Sequence, residues 1–486
     1  MKEVKNKKLI YLFTIVVFLI ISIVLVNKDM QNDTFYTIKV GEVIEKYGVD
    51  MKDHFSFIPN LKYTYPHWLY DLGVFKIYKS FGFDGLFISN MILTFILCTS
   101  MFITTNKIIK NYGIAFITTI FTSAFLNPFI TVRAQLVSYI LLLIILYSIE
   151  MLRERGKYRY FAYLAVSSIL LANIHAAVYP VIFLLFMPYL VSDLLSKFFK
   201  ASKDSILVVD KPKNTKLLLF GLLLCILCGF CSLTNSTYTY ILYIMMGSST
   251  SVIQEHASAS LSNNPFIYIY MGLFLFILLT KKIKIKLADL FMIGGLFLLA
   301  LLSLRSFSLF VILSLYSFAR LYEVIEKNYL KKTTMTSAFK MPVVMIFITF
   351  IVSLAGIINF SAELKEEYIS KEEYPVEMVE YIKENMDYKN MRIYHEYDIG
   401  SYLLFNDIKV FIDSRSDLYM KEFNKGCTVF NDAIKMPYNY RELLDKYDFT
   451  HILIYNKDGF NTIVDLLPEY ELIKKDDNFS LYEKRA

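Results

Sequence analysis

The dominant pattern in this chain is a series of long apolar runs that stops near residue 360. The first uninterrupted run, residues 9–26, contains eighteen residues without a charged side chain. A helix needs about 20 apolar residues to cross the roughly 30 Å hydrocarbon core of a bilayer. The runs therefore predict eleven transmembrane helices, over residues 9–27, 84–105, 113–129, 134–152, 160–174, 177–193, 216–233, 265–280, 287–303, 306–322 and 341–360.

The long connection between the first two spans, residues 28–83, contains two further helical patterns. In residues 34–48, apolar side chains recur at helical spacing, and residues 66–82 are also amphipathic. Both segments are rich in aromatic residues, which favour the membrane–water interface. We therefore predict two helices that lie in the interface plane.

The region after the last apolar run, residues 361–486, has a different pattern. A helical segment at 375–385 begins at proline, which is favoured in a first helical turn, and a second helix is predicted around 438–447. Short apolar runs that predict strands occur at 391–395, 408–412, 450–454 and 480–483. This alternation predicts a small α/β domain with a mostly parallel sheet.

The charge distribution predicts an orientation in the membrane. The chain is 56% hydrophobic with a mean hydropathy of +0.45, and its net charge of +7 comes from Lys and Arg in alternate connections. These connections are 106–112, 153–159, 194–215, 281–286 and 323–340, whereas 234–264 has no Lys or Arg. By the positive-inside rule, the N-terminus is cytoplasmic and both the first loop and the C-terminal domain are extracytoplasmic.

We thus predict a mainly α, multi-pass plasma-membrane protein of about eleven spans (residues 1–360) with a small extracytoplasmic α/β domain (361–486). We expect membrane lipids to surround the apolar surface. Because the basic loops explain the net positive charge, we do not expect nucleic acid as a partner. The sequence has no G-x-G-x-x-G or Walker A motif that would indicate a nucleotide site. It indicates no cofactor; a divalent metal stays an open alternative without a ligand motif to support it.

Two arginines depart from the charge bias of the predicted outer turns. Arg133 precedes the fourth span, and Arg305 lies in the tight turn between two outer helix ends. A guanidinium fork at this depth suits a phosphate, because it can bind two oxygens. The alternative is an interfacial arginine that snorkels or pairs with a structural carboxylate. Glu255 adds a carboxylate to the outer loop 234–264.

His175, in the segment ANIHAA, lies where the fifth span meets the sixth. It either joins a polar network between helices or donates a hydrogen bond to a head group or sugar.

The first loop supplies the candidate base. Asp33 follows the first span closely, and partial desolvation could tune such a carboxylate for general-base catalysis. The alternative is a solvated charge or a helix N-cap. Asp53, His54 and His67 are further polar candidates in this loop.

In the C-terminal domain, acidic residues and one arginine gather near predicted strand ends, where we expect turn caps and surface ion pairs; a catalytic role is the alternative. They are Asp398, Asp413, Arg415 and Asp417.

This layout resembles the GT-C superfamily of integral membrane glycosyltransferases. The similarity rests on a long first outer loop with an acidic residue, about eleven spans and an outer C-terminal domain. The segments that show it include NDTFYTIKVGE, YTYPHWLYD, RAQLVSY, ANIHAA, IQEHAS, LRSFSLF and VFIDSRSDLY. Together they extend over almost the whole chain.

The resemblance implies transfer of a sugar from a polyprenyl-phosphate carrier to an extracytoplasmic glycan, lipid or protein acceptor. Asp33 would deprotonate the acceptor. Arg133 and Arg305, with His175, would hold the lipid phosphate. Apart from the resemblance, Asp53, His54, His67 and Glu255 are candidates for substrate or phosphate binding from their positions in the outer loops.

The chain departs from better-studied members in one respect, since Asp33 stands alone where many of them have paired acidic residues. The alternative is therefore a non-catalytic GT-C-like scaffold or a protein that binds the lipid carrier. A fold does not by itself define an activity.

Overall fold

The computed structural model describes residues 2–198, 206–234, 236–246, 254–280, 283–329 and 365–485, with isolated positions between 351 and 363. The predicted span 341–360 lies outside the described residues, apart from a few of those positions. The described helices are α1 Lys2–Val24, α2 Asn32–Tyr47, α3 Trp68–Ile109, α4 Tyr112–Phe125, α5 Ala134–Arg155, α6 Arg159–Ile174, α7 Val181–Leu195, α8 Thr215–Cys228, α9 Ser236–Met246, α10 Pro265–Thr280, α11 Leu287–Leu302, α12 Phe307–Leu313, α13 Leu315–Tyr329, α14 Val376–Asn385, α15 Tyr397–Phe405, α16 Val429–Tyr447 and α17 Gly459–Val464. The strands are β1 Leu207–Val208, β2 Ile285–Lys286, β3 Ile393–His395, β4 His451–Tyr455, β5 Tyr470–Lys475 and β6 Phe479–Lys484.

Helices occupy every predicted span that falls on the described residues. Three of these helical segments are long and apolar enough to cross a membrane by themselves: Trp68–Ile109, Ala134–Arg155 and Ala176–Leu195. A fourth candidate is the pair Leu304–Leu313 and Leu315–Lys327, bent by 52°. The other apolar helices are shorter, at 10–17 residues. The apolar helices support a membrane location, while the count of eleven spans stays a prediction.

The chain forms two compact units. The first, which we call the helical unit, comprises residues 1–27, 87–232 and 248–365. The second, the mixed unit, comprises residues 28–86, 233–247 and 366–486.

Helix α5 lies at the centre of the helical unit. It packs against α6, α7, α8 and α12, and 18 of its residues are buried. A helix that is apolar on all sides is expected to be surrounded by other helices, which explains the unbroken apolar run of the fourth predicted span.

Buried ion pairs connect α5 to its neighbours. Arg320 on α13 places Nη2 at 2.8 Å from Glu150 Oε1 on α5 and at 2.5 Å from Asp289 Oδ1 on α11. Close by, Arg153 on α5 is 3.0 Å from Asp193 on α7. Charges this deep must be paired, because an isolated buried ion is very costly.

The mixed unit contains a four-stranded sheet in the order β3-β4-β6-β5. Strands β3, β4 and β6 confirm three of the predicted strands. The prediction of a mostly parallel sheet is wrong, because only β3 and β4 pair in parallel. The sequence pattern missed β5, since Tyr470–Lys475 lies at the sheet edge and only one of its six residues is buried. The short link between β5 and β6 permits only antiparallel pairing.

The predicted strand at 408–412 does not join this sheet. Instead Val410 forms an isolated parallel bridge with Ser56 of the first loop. The loop 28–83 thus packs with the C-terminal region, and the structure groups it there rather than with the apolar spans.

Helix α2 provides the apolar part of this packing. It lies against α15, and the ring of Phe35 contacts Tyr374, Tyr402 and Phe405 at centroid distances of 5.0–5.3 Å. The second predicted loop helix is the start of α3, which continues past a non-helical Gly82 with φ 62° and ψ −155°.

The bridging arginine of the helical unit gives a stability prediction. Substitution Arg320→Met should lower the free energy of unfolding by about 3–5 kcal/mol, because Glu150 and Asp289 would be left as unpaired buried carboxylates. Thermal unfolding in detergent micelles would measure this loss. Lys327→Gln is the matched control, since Lys327 and Glu323 form a more exposed pair. Equal stability of the two variants would contradict a structural role for Arg320.

Candidate functional site

Arg133 is held at the start of α5. It occupies the N-cap position in extended conformation, with φ −136° and ψ 156°. Its Nη1 donates to Glu255 Oε1 at 2.7 Å, and its side chain is 18% exposed. The sequence proposed Arg133 and Glu255 separately, and the structure brings them together in the helical unit.

Arg305 reaches the same end of α5. It lies in the 3₁₀ turn Leu304–Ser306, which separates α11 from α12. With the Gln135 amide oxygen facing it, Arg305 donates to that oxygen from Nη2 at 2.9 Å and from Nε at 2.5 Å. Gln135 is buried in the first turn of α5, two residues after Arg133. Our sequence reasoning missed Gln135, although R-x-Q at a span entrance was a visible signal.

The loop that carries Glu255 is fastened to the turn that carries Arg305. Ser303 Oγ donates to Glu255 O at 3.2 Å, and Leu304 N donates to Ala257 O at 3.0 Å. Burial disfavours the charged form of Glu255, but Arg133 and Arg305 outweigh it and hold the pKa of this carboxyl below its usual value. Burial and Arg305 likewise lower the pKa of His256. At neutral pH, two guanidinium groups therefore face one carboxylate and a neutral imidazole.

Buried hydroxyl groups form hydrogen bonds behind Arg305 and along α5. Tyr139 donates to Ser308 Oγ at 2.7 Å, and Ser308 Oγ donates to Arg305 O at 2.9 Å. The His175 Nδ1 lies 2.8 Å from Ser138 Oγ, one turn along α5 from Ala134. His175 is 1% exposed, so the geometry places it in the polar network between helices, which was one of its two predicted roles.

In the mixed unit, Asp33 lies in the first turn of α2. The helix begins at Asn32 with Gln31 as N-cap residue, so Asp33 is inside the helix rather than its cap. Its charge suits the positive end of the helix dipole. Asn32 Nδ2 donates to Tyr397 O at 3.3 Å, and burial together with the charge of Asp33 raises the pKa of Tyr397. Asp33 therefore lies beside the start of α15.

Asp53 belongs to a buried ion network. Its Oδ1 accepts from Arg415 Nη1 at 2.8 Å, and Arg415 Nη2 donates to Asp413 Oδ2 at 2.6 Å. The Tyr419 hydroxyl also donates to Asp413 Oδ2, at 2.6 Å. Arg415 and its two carboxylate partners are at most 3% exposed. The expectation of a surface ion pair is therefore wrong for Asp413 and Arg415, which lie in the core, whereas Asp398 is exposed. The geometry favours a structural role for Asp53.

The pKa values of two carboxyl groups in this region shift in opposite directions. Burial opposes ionisation of Asp413, but Arg415 overcomes it and holds the pKa of that carboxyl below its usual value. Burial raises the pKa of Asp417 to about 6, despite the opposing effect of Arg415.

The two histidines of the first loop have separate surroundings. His54 Nε2 lies 2.8 Å from Asp50 Oδ2, and its ring stacks on Tyr47 at 5.2 Å. His67 accepts a hydrogen bond at its carbonyl from Asp71 N at 3.0 Å. Their proposed contact with substrate stays a prediction. Within the described part of the chain, no group of three His, Cys, Asp or Glu side chains is arranged to hold a metal ion.

Comparison with known proteins places this geometry in a recognised fold. No family model and no curated protein matches the chain. Among solved structures, the Archaeoglobus fulgidus oligosaccharyltransferase in the apo form is similar with a TM-score of 0.58 and 11% identity, covering 91% of this chain and 69% of that one. ArnT from Cupriavidus metallidurans bound to undecaprenyl phosphate has a TM-score of 0.57 and 10% identity, covering 97% of both chains.

The chain has a GT-C-like fold. A second structure of the archaeal enzyme, tethered to an acceptor peptide with the NVT sequon, has the same TM-score of 0.58 at 12% identity, covering 91% of this chain and 69% of that one. The resemblance drawn from the sequence is thus confirmed for the fold. The arginine pair belongs to the helical unit, and Asp33 belongs to the mixed unit.

The Asp53–Arg415 pair gives a test of its structural role. Asp53→Asn should lower the free energy of unfolding by about 3 kcal/mol, because it leaves Arg415 with one buried charge partner fewer. Asp407→Asn is the control, since Asp407 pairs with Lys39 while 67% exposed and should change stability by about 1 kcal/mol or less. Denaturant unfolding of the full chain in micelles checks both. A stable Asp53→Asn protein would return Asp53 to the substrate-binding candidates.

Proposed function

We propose that this protein transfers a sugar from a polyprenyl-phosphate carrier to an acceptor outside the membrane. The observation on which this rests is the convergence of Arg133 and Arg305 at the start of α5. Arg305 donates to the neutral amide of Gln135. That amide does not compensate the positive charge of the guanidinium group. Two guanidinium groups converge here beside the carboxylate of Glu255, and such a pair of forked donors suits a phosphate.

An apolar groove in the helical unit supports a lipid carrier. It has a volume of about 360 Å³ and lies among α4, α10, α12 and α13. Its lining begins at Phe307, two residues after Arg305, and continues to Ile325, about five helical turns along α12 and α13. Aromatic and aliphatic side chains dominate this lining, with two threonines the exceptions. An isoprenoid chain has the apolar character that such a groove would accept, while its phosphate would remain near Arg305.

The proposed reaction is a displacement at the anomeric carbon of the carrier-bound sugar. The acceptor hydroxyl oxygen forms the new bond to that carbon as the bond to the phosphate oxygen breaks. Asp33 takes the hydroxyl proton, and the polyprenyl phosphate leaves with the extra negative charge. Arg133 and Arg305 stabilise that charge, which is the kind of preorganised electrostatic effect that often dominates catalysis.

The similar solved proteins support this choice of substrate. ArnT was solved with undecaprenyl phosphate, and the archaeal oligosaccharyltransferase with an acceptor peptide. By analogy we propose an envelope glycan, lipid or protein as the acceptor of this chain.

One observation favours a second candidate, a non-catalytic protein that binds the lipid carrier. Asp33 lies in the first turn of α2, where the helix dipole stabilises a carboxylate without any catalytic task. The arginine pair and the groove would serve such a binder equally well.

Asp33 separates the two candidates. In a deletion strain, mass spectrometry of envelope glycans and lipid-linked sugars should reveal a lost product that the wild-type gene restores. Asp33→Asn should fail to restore it at normal protein level, because amide cannot accept the proton. The control Glu42→Gln changes another carboxylate of α2, which pairs with Lys39 at 47% exposure, and should restore the product. Full restoration by Asp33→Asn would favour the binder.

The arginine pair predicts how binding of the carrier changes. Arg305→Gln should weaken binding of undecaprenyl phosphate about 10- to 100-fold, the usual value of a lost charge-assisted hydrogen bond. Glu255→Gln should strengthen binding, because it removes the carboxylate that competes for Arg133. Native mass spectrometry of the purified protein can measure both. Arg159→Gln, on the exposed start of α6, is the control and should bind as wild type; unchanged binding by Arg305→Gln would refute the phosphate site.

A further inference from the structure

A second cavity lies in the helical unit, at the other end of α5. It has a volume of about 470 Å³ and is lined by the ends of α3 and α5 and by the start of α11, together with part of α13. Its polar side chains come from 106–112, 153–159 and 281–286, three connections predicted to be cytoplasmic, and from the adjoining helix ends. The proposed transfer reaction makes no use of it.

The cavity lining is strongly basic. Seven of its side chains are Lys or Arg and four are carboxylates, which leaves a net charge of +3. All four carboxylates already have a cationic partner: Glu150 and Asp289 pair with Arg320, Glu154 pairs with Lys213, and Glu323 pairs with Lys327. Lys213 and Lys327 lie outside the lining, as do Asp193 and Asp210, which pair with Arg153 and Lys286; the net charge stays at +3 when these four residues are included. The positive-inside rule explains why these loops are basic, but not why their charges converge on one cavity.

A buried donor in the lining also requires an acceptor. The Arg153 side chain is 4% exposed, and its Nη2 donates to Asp193 Oδ1 at 3.0 Å. Its Nε is buried and has no hydrogen-bond partner among the residues that the structure describes. Native proteins satisfy nearly all buried polar groups, so such a donor points to a missing acceptor.

The backbone of Lys110 is a separate observation at the same cavity. It ends the turn between α3 and α4 with φ of +59°, in the left-handed region where glycine is favoured. A lysine there costs backbone strain, which persists where the side chain has a use. Lys110 lines the cavity next to Lys107.

The cavity is also partly apolar, with Ile108, Met151, Leu321 and Val324 in its lining. It lies where the apolar lengths of α3 and α5 end, which is the depth of lipid head groups. Basic pockets between membrane helices on the cytoplasmic side bind anionic lipids. We propose that this cavity binds an anionic phospholipid, with its phosphate on the basic residues and its acyl chains against the apolar ones.

Native mass spectrometry of the full chain in detergent tests this proposal. Phosphatidylglycerol should bind at a defined stoichiometry, and phosphatidylcholine should bind much more weakly. The double variant Lys107→Gln/Lys110→Gln should weaken phosphatidylglycerol binding about 25-fold, about fivefold for each lysine near the phosphate. The matched control Lys157→Gln/Lys216→Gln removes two exposed charges that do not line the cavity, and should retain wild-type binding.

A second variant distinguishes a loss of lipid binding from a loss of stability. Lys110→Gly removes the charge and also relieves the left-handed strain, so it should melt no lower than wild type yet bind the lipid about fivefold more weakly. Equal losses in the control double variant, or equal binding of phosphatidylcholine, would overturn the proposal. Inorganic phosphate that displaces the lipid at similar concentration would also overturn it, and would assign the cavity to a soluble anion.

Discussion

The packing of the helical unit depends on one buried arginine that pairs with two carboxylates. Arg320 lies between Glu150 and Asp289, so helices α5, α11 and α13 cannot separate without exposing or unpairing three ions. The mixed unit repeats this arrangement, since Arg415 lies between Asp413 and Asp53. Buried ion pairs add little to stability compared with well-packed apolar residues, but a pair that loses one partner is strongly destabilised. Both networks therefore specify which segments pack together.

The arginine just before α12 differs from these two arginines in the charge of its partner. Arg305 donates to the neutral amide of Gln135, and its neighbour Arg133 pairs with Glu255. In the two cores each arginine lies between two carboxylates, whereas the side-chain partner of Arg305 carries no charge. A protein that only needed to anchor these turns could use neutral groups. In the proposed function, the carrier phosphate binds at Arg305, and the groove that begins at Phe307 accepts its apolar chain.

Sequence patterns predicted the parts of this fold that depend on local periodicity. The apolar run at 134–152 became α5 (Ala134–Arg155), and the pattern at 34–48 became α2, because burial of one face or of all faces leaves a regular signal. The pairing of Asp53 with Arg415 could not be read in this way, since the two residues are distant in sequence and each looks like a solvated charge. The edge strand β5 was missed for a related reason: an exposed strand has little apolar alternation to detect.

Helix α5 relates the two candidate ligand sites to the membrane. Arg133 occupies its N-cap position and Arg153 lies in its last turn, so the two arginines are about 30 Å apart along the axis at roughly 1.5 Å per residue. This separation equals the thickness of the hydrocarbon core, about 30 Å. Each arginine therefore lies at the level of lipid phosphates if α5 spans the bilayer. A single helix of this length would thus present one anion site to each membrane surface, which is the arrangement that a carrier lipid on one side and a bilayer phospholipid on the other require.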